Sequence, residues 1–195
     1  DLYHDKLDDQ ALDILCEIEN HGYKMLEMME NLLSLAKGGA PACPVEAVDV
    51  ENVVGNTLTN LAKLITAAQA DIRVGPLPRS HLPASFLAQI FDNLIGNAVR
   101  YAGSQGLIEI GGERRGAKVY YFVRDHGSGI SAADRAHIFT PFFRGAAGRE
   151  VPGSGVGLST VLKIARTYGG EAWVEETAGG GSTFWVSLSD QARPA

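Results

Sequence analysis

The stretch "GSGVGLSTV", Gly153 to Val161, sets glycines at alternate positions directly ahead of a run that reads as a helix. A loop of this kind brings backbone N–H groups and a helix N-terminus to an anion such as phosphate. Two common phosphate loops do not fit it. A P-loop needs a Lys after its last glycine, and here Leu158 follows Gly157. A Rossmann fingerprint needs a buried strand ahead of it, and "GREVP" does not read as one. Taken alone, the stretch is also compatible with a flexible surface turn.

Three other blocks carry chemistry. Asn93, Asn97 and Arg100 are spaced by four and then three residues, so a helix puts all of them on one face. Amides are poor mid-helix residues, and two on one face call for a reason. An amide oxygen is a hard neutral ligand suited to Mg²⁺, and a guanidinium suits phosphate oxygens. The segment "LIGNAV" is apolar on both sides of Asn97, which argues against a simple solvated face. In "RDHGSGI", Asp125 ends a strand and Gly127 and Gly129 let the backbone close in. A carboxylate so placed can accept a hydrogen bond from an adenine amino group; the same letters also spell an ordinary Asp-Gly turn. The last block, "IFTPFFRG", reads as apolar anchors at Phe139, Phe142 and Phe143 with Arg144 exposed beside them. Residues 145 to 152 lack a hydrophobic pattern and read as a mobile lid.

The elements that must position these blocks are legible from periodicity. Residues 8 to 36 are strongly helical, with Ala11, Ile14, Ile18, His21, Met25, Met28, Leu32 and Leu35 on a heptad seam. Leu15, Gly22, Met29 and Leu33 widen that face toward a helical bundle. "KGGAPACP" breaks the helix as a linker. Then "DVENVVGNTLTNLAKLITAAQ" predicts one amphipathic helix opened by Asp49 or Glu51, "DIRV" a short strand, and "PASFLAQIFDNLIGNAVRYA" a long helix with Pro83 in its first turn. "LIEIGGERR" and "KVYYFVRD" predict a hairpin around Arg115-Gly116. "SAADRAHIF" predicts a short helix capped by Ser131, "GLSTVLKIARTYGG" a helix closed by Gly169 and Gly170, and "EAWVEET" with "GSTFWVSL" a second hairpin across "AGGG". About three helices against a mostly antiparallel sheet make a two-layer α+β domain over 45–190. Residues 1–40 precede it as a long-helix segment, and 191–195 form a C-terminal tail.

Bulk properties agree with that plan. The chain has 195 residues, 45% of them hydrophobic, enough for a packed core. Its net charge of −6 argues against nucleic acid or an anionic membrane as the main partner, so any phosphate site must be made positive locally. Cys16 and Cys43 are compatible with a disulfide, but two free thiols in a reducing cytosol is the simpler reading. No signal peptide or spanning apolar run is present, and a start at Asp1 rather than Met reads as a piece of something longer.

Taken in order, the four blocks resemble the ATP-binding domain of two-component sensor histidine kinases. "FDNLIGNAVRYA" is similar to that family's N box, "DHGSG" to its first glycine box, "IFTPFFR" to its F box and "GSGVGL" to its second glycine box. The helix at 8–36 resembles the second helix of the family's dimerisation and phosphotransfer hairpin, and "DKLDDQAL" its entry in phytochrome-type kinases. The resemblance implies a Bergerat-type α/β sandwich binding ATP and Mg²⁺. It implies Asn97 as the metal ligand, with Asn93 as second ligand or water-holder, and Arg100 on phosphate where the family more often has Lys. Tyr101 would line the pocket, and Asp125 would read the adenine amino group with Gly127 and Gly129 shaping the space. A lid from Ile130 to Val156, including Phe139, would close over the triphosphate, with Arg144 touching phosphate. Gly153, Gly155, Gly157 and Leu158 would form the hinge, and Val156, at the lid's end, would be among the nucleotide-binding residues. The implied reaction is transfer of the ATP γ-phosphoryl group to a histidine and on to a response-regulator aspartate. Implied too are a homodimer through the helical bundle, a cytoplasmic location for this portion, and a membrane anchor, if any, only in missing N-terminal regions.

The match departs at named places. The block His-Glu/Asp-x-Arg-x-Pro that carries the phosphoacceptor is absent. His4 lacks the Arg and Pro and leaves no room for a first helix, and His21 falls on the heptad seam as a core or interface residue. His126 stands where an Asn is common. Rival readings are an ATPase of the gyrase, mismatch-repair or chaperone kind, an anti-sigma-type serine kinase, and a non-catalytic nucleotide-sensing or dimerisation module. The first needs a general-base Glu where this chain has Asn93, and an amide cannot take a proton from water.

Overall fold

In a computed structural model, residues 44, 46–103, 106–145 and 155–190 are described. The helix read over 8 to 36, both cysteines, His4, His21, Gly153 and the lid residues 146–152 lie outside them. The chain divides into two units, Asp1–Pro41 and Ala42–Ala195, and all the described residues belong to the second.

Asp49 opens the first helix: its side chain accepts from the Asn52 N–H at 3.3 Å. The sequence predicts one helix here, but the structure has two, α1 (Val50–Asn60) and α2 (Ala62–Ala68), separated at Leu61. The Thr57 and Thr59 hydroxyls donate to the carbonyls of Val53 and Gly55, each at 3.0 Å. Such back-bonding loosens the last turn and accounts for the break. The long helix α3 (Ala84–Tyr101) starts at Pro83, which occupies the cap rather than the first turn. Phe86, Leu87, Ile90, Phe91, Leu94, Ile95, Ala98 and Val99 form its buried stripe, packed against α1, a later helix α5 (Gly157–Thr167) and the sheet. A single turn, α4 (Ala132–Arg135), is capped by Ser131, whose Oγ accepts from the Asp134 N–H at 3.1 Å.

Five strands form the sheet among the described residues: β1 (Asp71–Val74), β2 (Leu107–Arg115), β3 (Lys118–Asp125), β4 (Glu171–Glu176) and β5 (Ser182–Ser189). Their order is β1-β2-β3-β5-β4. β1 runs parallel to β2, with Asp71 opposite Leu107, and every other pair is antiparallel. Both predicted hairpins are present, and β5 lies between β3 and β4. The fold is the expected two-layer α+β sandwich. Its helix-facing side buries Ile108, Ile110, Val119, Tyr121, Val123, Val186 and Leu188. The other side carries half-buried Tyr120, Phe122, Trp173 and Trp185. The two tryptophan rings stack at 5.9 Å, and both indole N–H groups donate to Glu175, at 2.9 and 3.1 Å. Aromatic area and satisfied N–H groups together suit a sheet face that carries no second layer among the described residues.

At the far end of β5 a buried carboxylate, Asp190, accepts from the His81 N–H at 2.7 Å and from the Arg114 guanidinium. Burial alone would raise the Asp190 pKa; the His81 N–H and Arg114 outweigh it and hold the carboxyl below its ordinary range. This knot fixes the 79–82 segment that leads into α3, and Val48 pairs with Ser80 beside it.

Candidate functional site

The register of β3 on β2 ends at Asp125, opposite Ile108, with Asp125 on the helix side. It is 3% exposed. Its Oδ1 accepts from the backbone N–H of Gly127 at 3.0 Å and of Ser182 at 3.2 Å. Oδ2 takes no hydrogen bond among the described residues. Burial pushes the carboxyl above its ordinary range, and the two N–H donors offset only part of that.

The first glycine box closes on the end of α3. A Cβ on Gly127 would stand 2.0 Å from the Tyr101 carbonyl oxygen, so only glycine allows the approach. Tyr101 itself is 36% exposed at the rim. Gly129 is in the left-handed region at φ +70° beside Gly181, and the Ile130 carbonyl accepts from the Arg135 Nε at 3.0 Å.

Asn93 meets the second glycine box. Its Nδ2 donates to the Gln89 carbonyl at 2.8 Å, and its Oδ1 would lie 2.5 Å from a Cβ on Gly157, the first residue of α5. One turn on, Asn97 is half-buried and its amide takes no hydrogen bond among the described residues. Arg100 is exposed and folds back over Gly96, its Nη1 3.2 Å from where a Cβ would be. The N-terminus of α5 has no side-chain cap: the Ser159 and Thr160 hydroxyls both turn back to the Val156 carbonyl, at 2.7 and 3.1 Å. No side-chain cap therefore competes among the described residues with an incoming acceptor for the N–H groups of its first turn. Val156, Gly157 and Leu158 are half-buried around it.

The F box needs a correction. Phe139 and Phe143 are half-buried, with the Phe143 ring 5.7 Å from His137, but Phe142 is not an anchor. It is 77% exposed at φ +64°, and its N–H donates to the Gly155 carbonyl at 2.9 Å. The buried side chain of this segment is Ile138, 9% exposed. A Cβ on Gly155 would stand 2.9 Å from the Phe142 carbonyl carbon, so this backbone pairing fixes Phe142 and turns its ring outward. Arg144 is exposed.

The structure thus joins Asn93 to Gly157, Tyr101 to Gly127, and Asp125 to Gly127 and Ser182. Asn97 and Arg100 make no such junction among the described residues. Sequence reading missed Gly181 and Ser182. A Cβ on Gly181 would lie 2.2 Å from the Asp125 carbonyl oxygen. The signal was the triple glycine: Gly179, Gly180 and Gly181 all have positive φ, more freedom than a hairpin needs. Among the described residues no group of three His, Cys, Asp or Glu could hold a metal. A hydrated Mg²⁺ held through ligand phosphates and one or two hard oxygens still fits, because the Asn97 amide is uncommitted and Asn93 lies one turn away.

An ATP-binding sandwich of this kind defines a class, and the comparisons agree. The chain belongs to the histidine kinase-, DNA gyrase B-, and HSP90-like ATPase family, whose profile matches residues 83–192. The phytochrome-like protein Cph1 of Synechocystis is 32% identical over 187 residues, 95% of this chain and 25% of that protein. The sensor-like histidine kinase SenX3 of Mycobacterium tuberculosis is 33% identical over 181 residues, 90% of this chain and 43% of that protein. The chain therefore spans less than half of either relative. The structure of full-length ShkA in complex with AMPPNP superimposes with a TM-score of 0.71 at 23% identity, covering 97% of this chain and 41% of that one; at that identity the likeness shows the fold. Among its relatives this chain corresponds to the ATP-binding catalytic portion of a sensor histidine kinase. No helix among the described residues is long and apolar enough to cross a membrane.

Proposed function

We propose that this chain binds Mg·ATP and serves a phosphotransfer from its γ-phosphate to a histidine on an acceptor helix. The observation that carries the reading is Asp125: buried, held through Oδ1 by two N–H groups, with no hydrogen bond on Oδ2 among the described residues. That second oxygen would accept from the adenine amino group, with Gly127 and Gly129 leaving room for the base and Tyr101 and Ile130 along its edge. Asn97 would hold Mg²⁺ and Asn93 a second position or a bound water. Mg²⁺, when bound, would supply charge neutralisation at the phosphates. Arg100, Arg144 and the uncapped N–H groups of α5 would hold phosphate oxygens. Gly153, Gly155, Val156, Gly157 and Leu158 would let the lid, with Phe139 at its base, close. The complex of ShkA with AMPPNP, an ATP analogue, supports the nucleotide.

Transfer then needs positioning more than covalent chemistry. A neutral imidazole nitrogen attacks the γ-phosphorus, the bond to the ADP oxygen breaks, and the ring proton passes to solvent. Residues 1–40 would belong to the dimerisation and phosphotransfer hairpin, residues 45–190 would form the catalytic unit, and a response-regulator aspartate would be the next acceptor.

Asn97→Ala is expected to remove the Mg²⁺-dependent gain in ATP affinity, about 1–2 kcal/mol, with the circular dichroism of the wild type. Unfolding of the variant would instead make Asn97 a core hydrogen-bonding residue. For the transfer itself, incubation with γ-labelled ATP is expected to place no acid-labile label on the chain alone, but to label an acceptor hairpin carrying the His-Glu/Asp-x-Arg-x-Pro block supplied in trans. Label on His4 or His21 would make the chain a complete kinase of unusual layout.

A further inference from the structure

The residues on either side of Asp125 both turn to the opposite face of the sheet, as strand alternation requires of Arg124. There they meet one carboxylate. Glu109, directly opposite Arg124 in the β2–β3 register, accepts from Arg124 Nη1 at 3.3 Å and contacts His126 Nε2 at 3.2 Å. The His126 contact, against a small cost of burial and with Arg124 beside it, holds the Glu109 carboxyl below its ordinary range. Arg124 also donates through Nε to Thr183 Oγ1 at 3.2 Å, and Thr183 shares a hydrogen bond of 2.9 Å with Thr177.

Each end of this chain of contacts adjoins a donor on Asp125. Gly127 follows His126, and Ser182 precedes Thr183; their N–H groups are the two that hold Asp125 Oδ1. We infer that Glu109 is a positioning residue for base selection: through His126 and Arg124 it fixes the backbone on both sides of Asp125, and through Thr183 the start of β5, so that Asp125 Oδ2 keeps one direction. Glu109 lies on the sheet face opposite Asp125, so its action on the base is indirect. Its ion pairs are about one-third exposed, at 34% for Glu109 and 35% for Arg124, and half-exposed pairs add little stability, so its contribution is direction rather than folding energy. The inference rests on the assignment of Asp125 to the adenine amino group.

The test is calorimetry of ADP and IDP on the 195-residue chain. IDP carries a carbonyl oxygen where ADP carries the amino group, so a carboxylate held in one direction rejects it. Wild type is expected to prefer ADP. Glu109→Ala is expected to lower the ADP/IDP affinity ratio about threefold or more, and His126→Ala, at an exposed position, to lower it in the same direction. Glu109→Gln, which still offers an oxygen to both donors, is expected to stay within about twofold of wild type. In an Asp125→Asn background, Glu109→Ala should change the ratio no further, since both act through one carboxylate. Unchanged ratios in both Glu109→Ala and His126→Ala overturn the inference, as does an equal drop in the Asp125→Asn background. A wild type that does not prefer ADP overturns the assignment of Asp125 itself, a separate failure.

Discussion

Asp125→Asn is expected to weaken ADP binding by about 1–3 kcal/mol without lowering thermal stability. The two effects diverge because burial raises the carboxyl pKa. A raised acid pKa means the folded state favours the protonated form, so its contribution to stability is full below the unfolded pKa and is lost as pH rises through the folded one. At neutral pH the ionised carboxylate is therefore a cost to folding, which an amide removes while its oxygen still accepts from Gly127 and Ser182. For the ligand the sign is opposite. The ionised oxygen is the stronger acceptor for an amino group, so wild-type affinity should fall as pH falls through the raised pKa. The variant should show no such step. Calorimetry across that window, with thermal melts in parallel, checks both halves; equal ADP affinity in the two proteins would remove Asp125 from the base.

Gly127→Ala should cost about 3 kcal/mol of folding stability, near the upper end for overpacking, and nucleotide binding with it. Its Cβ would stand 2.0 Å from the Tyr101 carbonyl oxygen and 2.9 Å from the Ala102 Cα. Both are backbone atoms at the end of α3, so no side chain can swing aside. Relief requires either the helix end or the 125–129 loop to move, and that loop supplies a donor to Asp125. Gly116→Ala is the control, because that glycine, at φ +59°, meets nothing within 4 Å and lies at the remote β2–β3 turn. It should lose some stability to backbone strain but keep nucleotide binding. Urea melts with ADP titrations separate the two; a Gly127→Ala protein with wild-type stability and binding would show that the loop shifts at no cost.

Local chemistry was enough for the sequence to determine most elements of the described residues and to single out candidate residues on them. The apolar stripe of α3, the Asp49 and Ser131 caps and the two hairpins depend on residues a few positions apart, so periodicity and capping preferences report them. The shared face of Asn93, Asn97 and Arg100 is helical geometry, and Asp125 at a strand end before two glycines is a local pattern. The break at Leu61 was invisible because hydroxyl back-bonding leaves hydrophobic periodicity intact. Tertiary structure alone decided that β5 lies between β3 and β4 and that β1 runs parallel to β2, since strand order depends on which faces pack. That order brings the Ser182 N–H to Asp125, 57 residues away, and sets the close approach of Gly181. The outward ring of Phe142 is set by pairing with Gly155, and the Glu109 bracket by cross-strand register. Apart from the triple glycine ahead of Ser182, neighbouring residues do not signal these contacts, because each exists only once two distant segments share a surface.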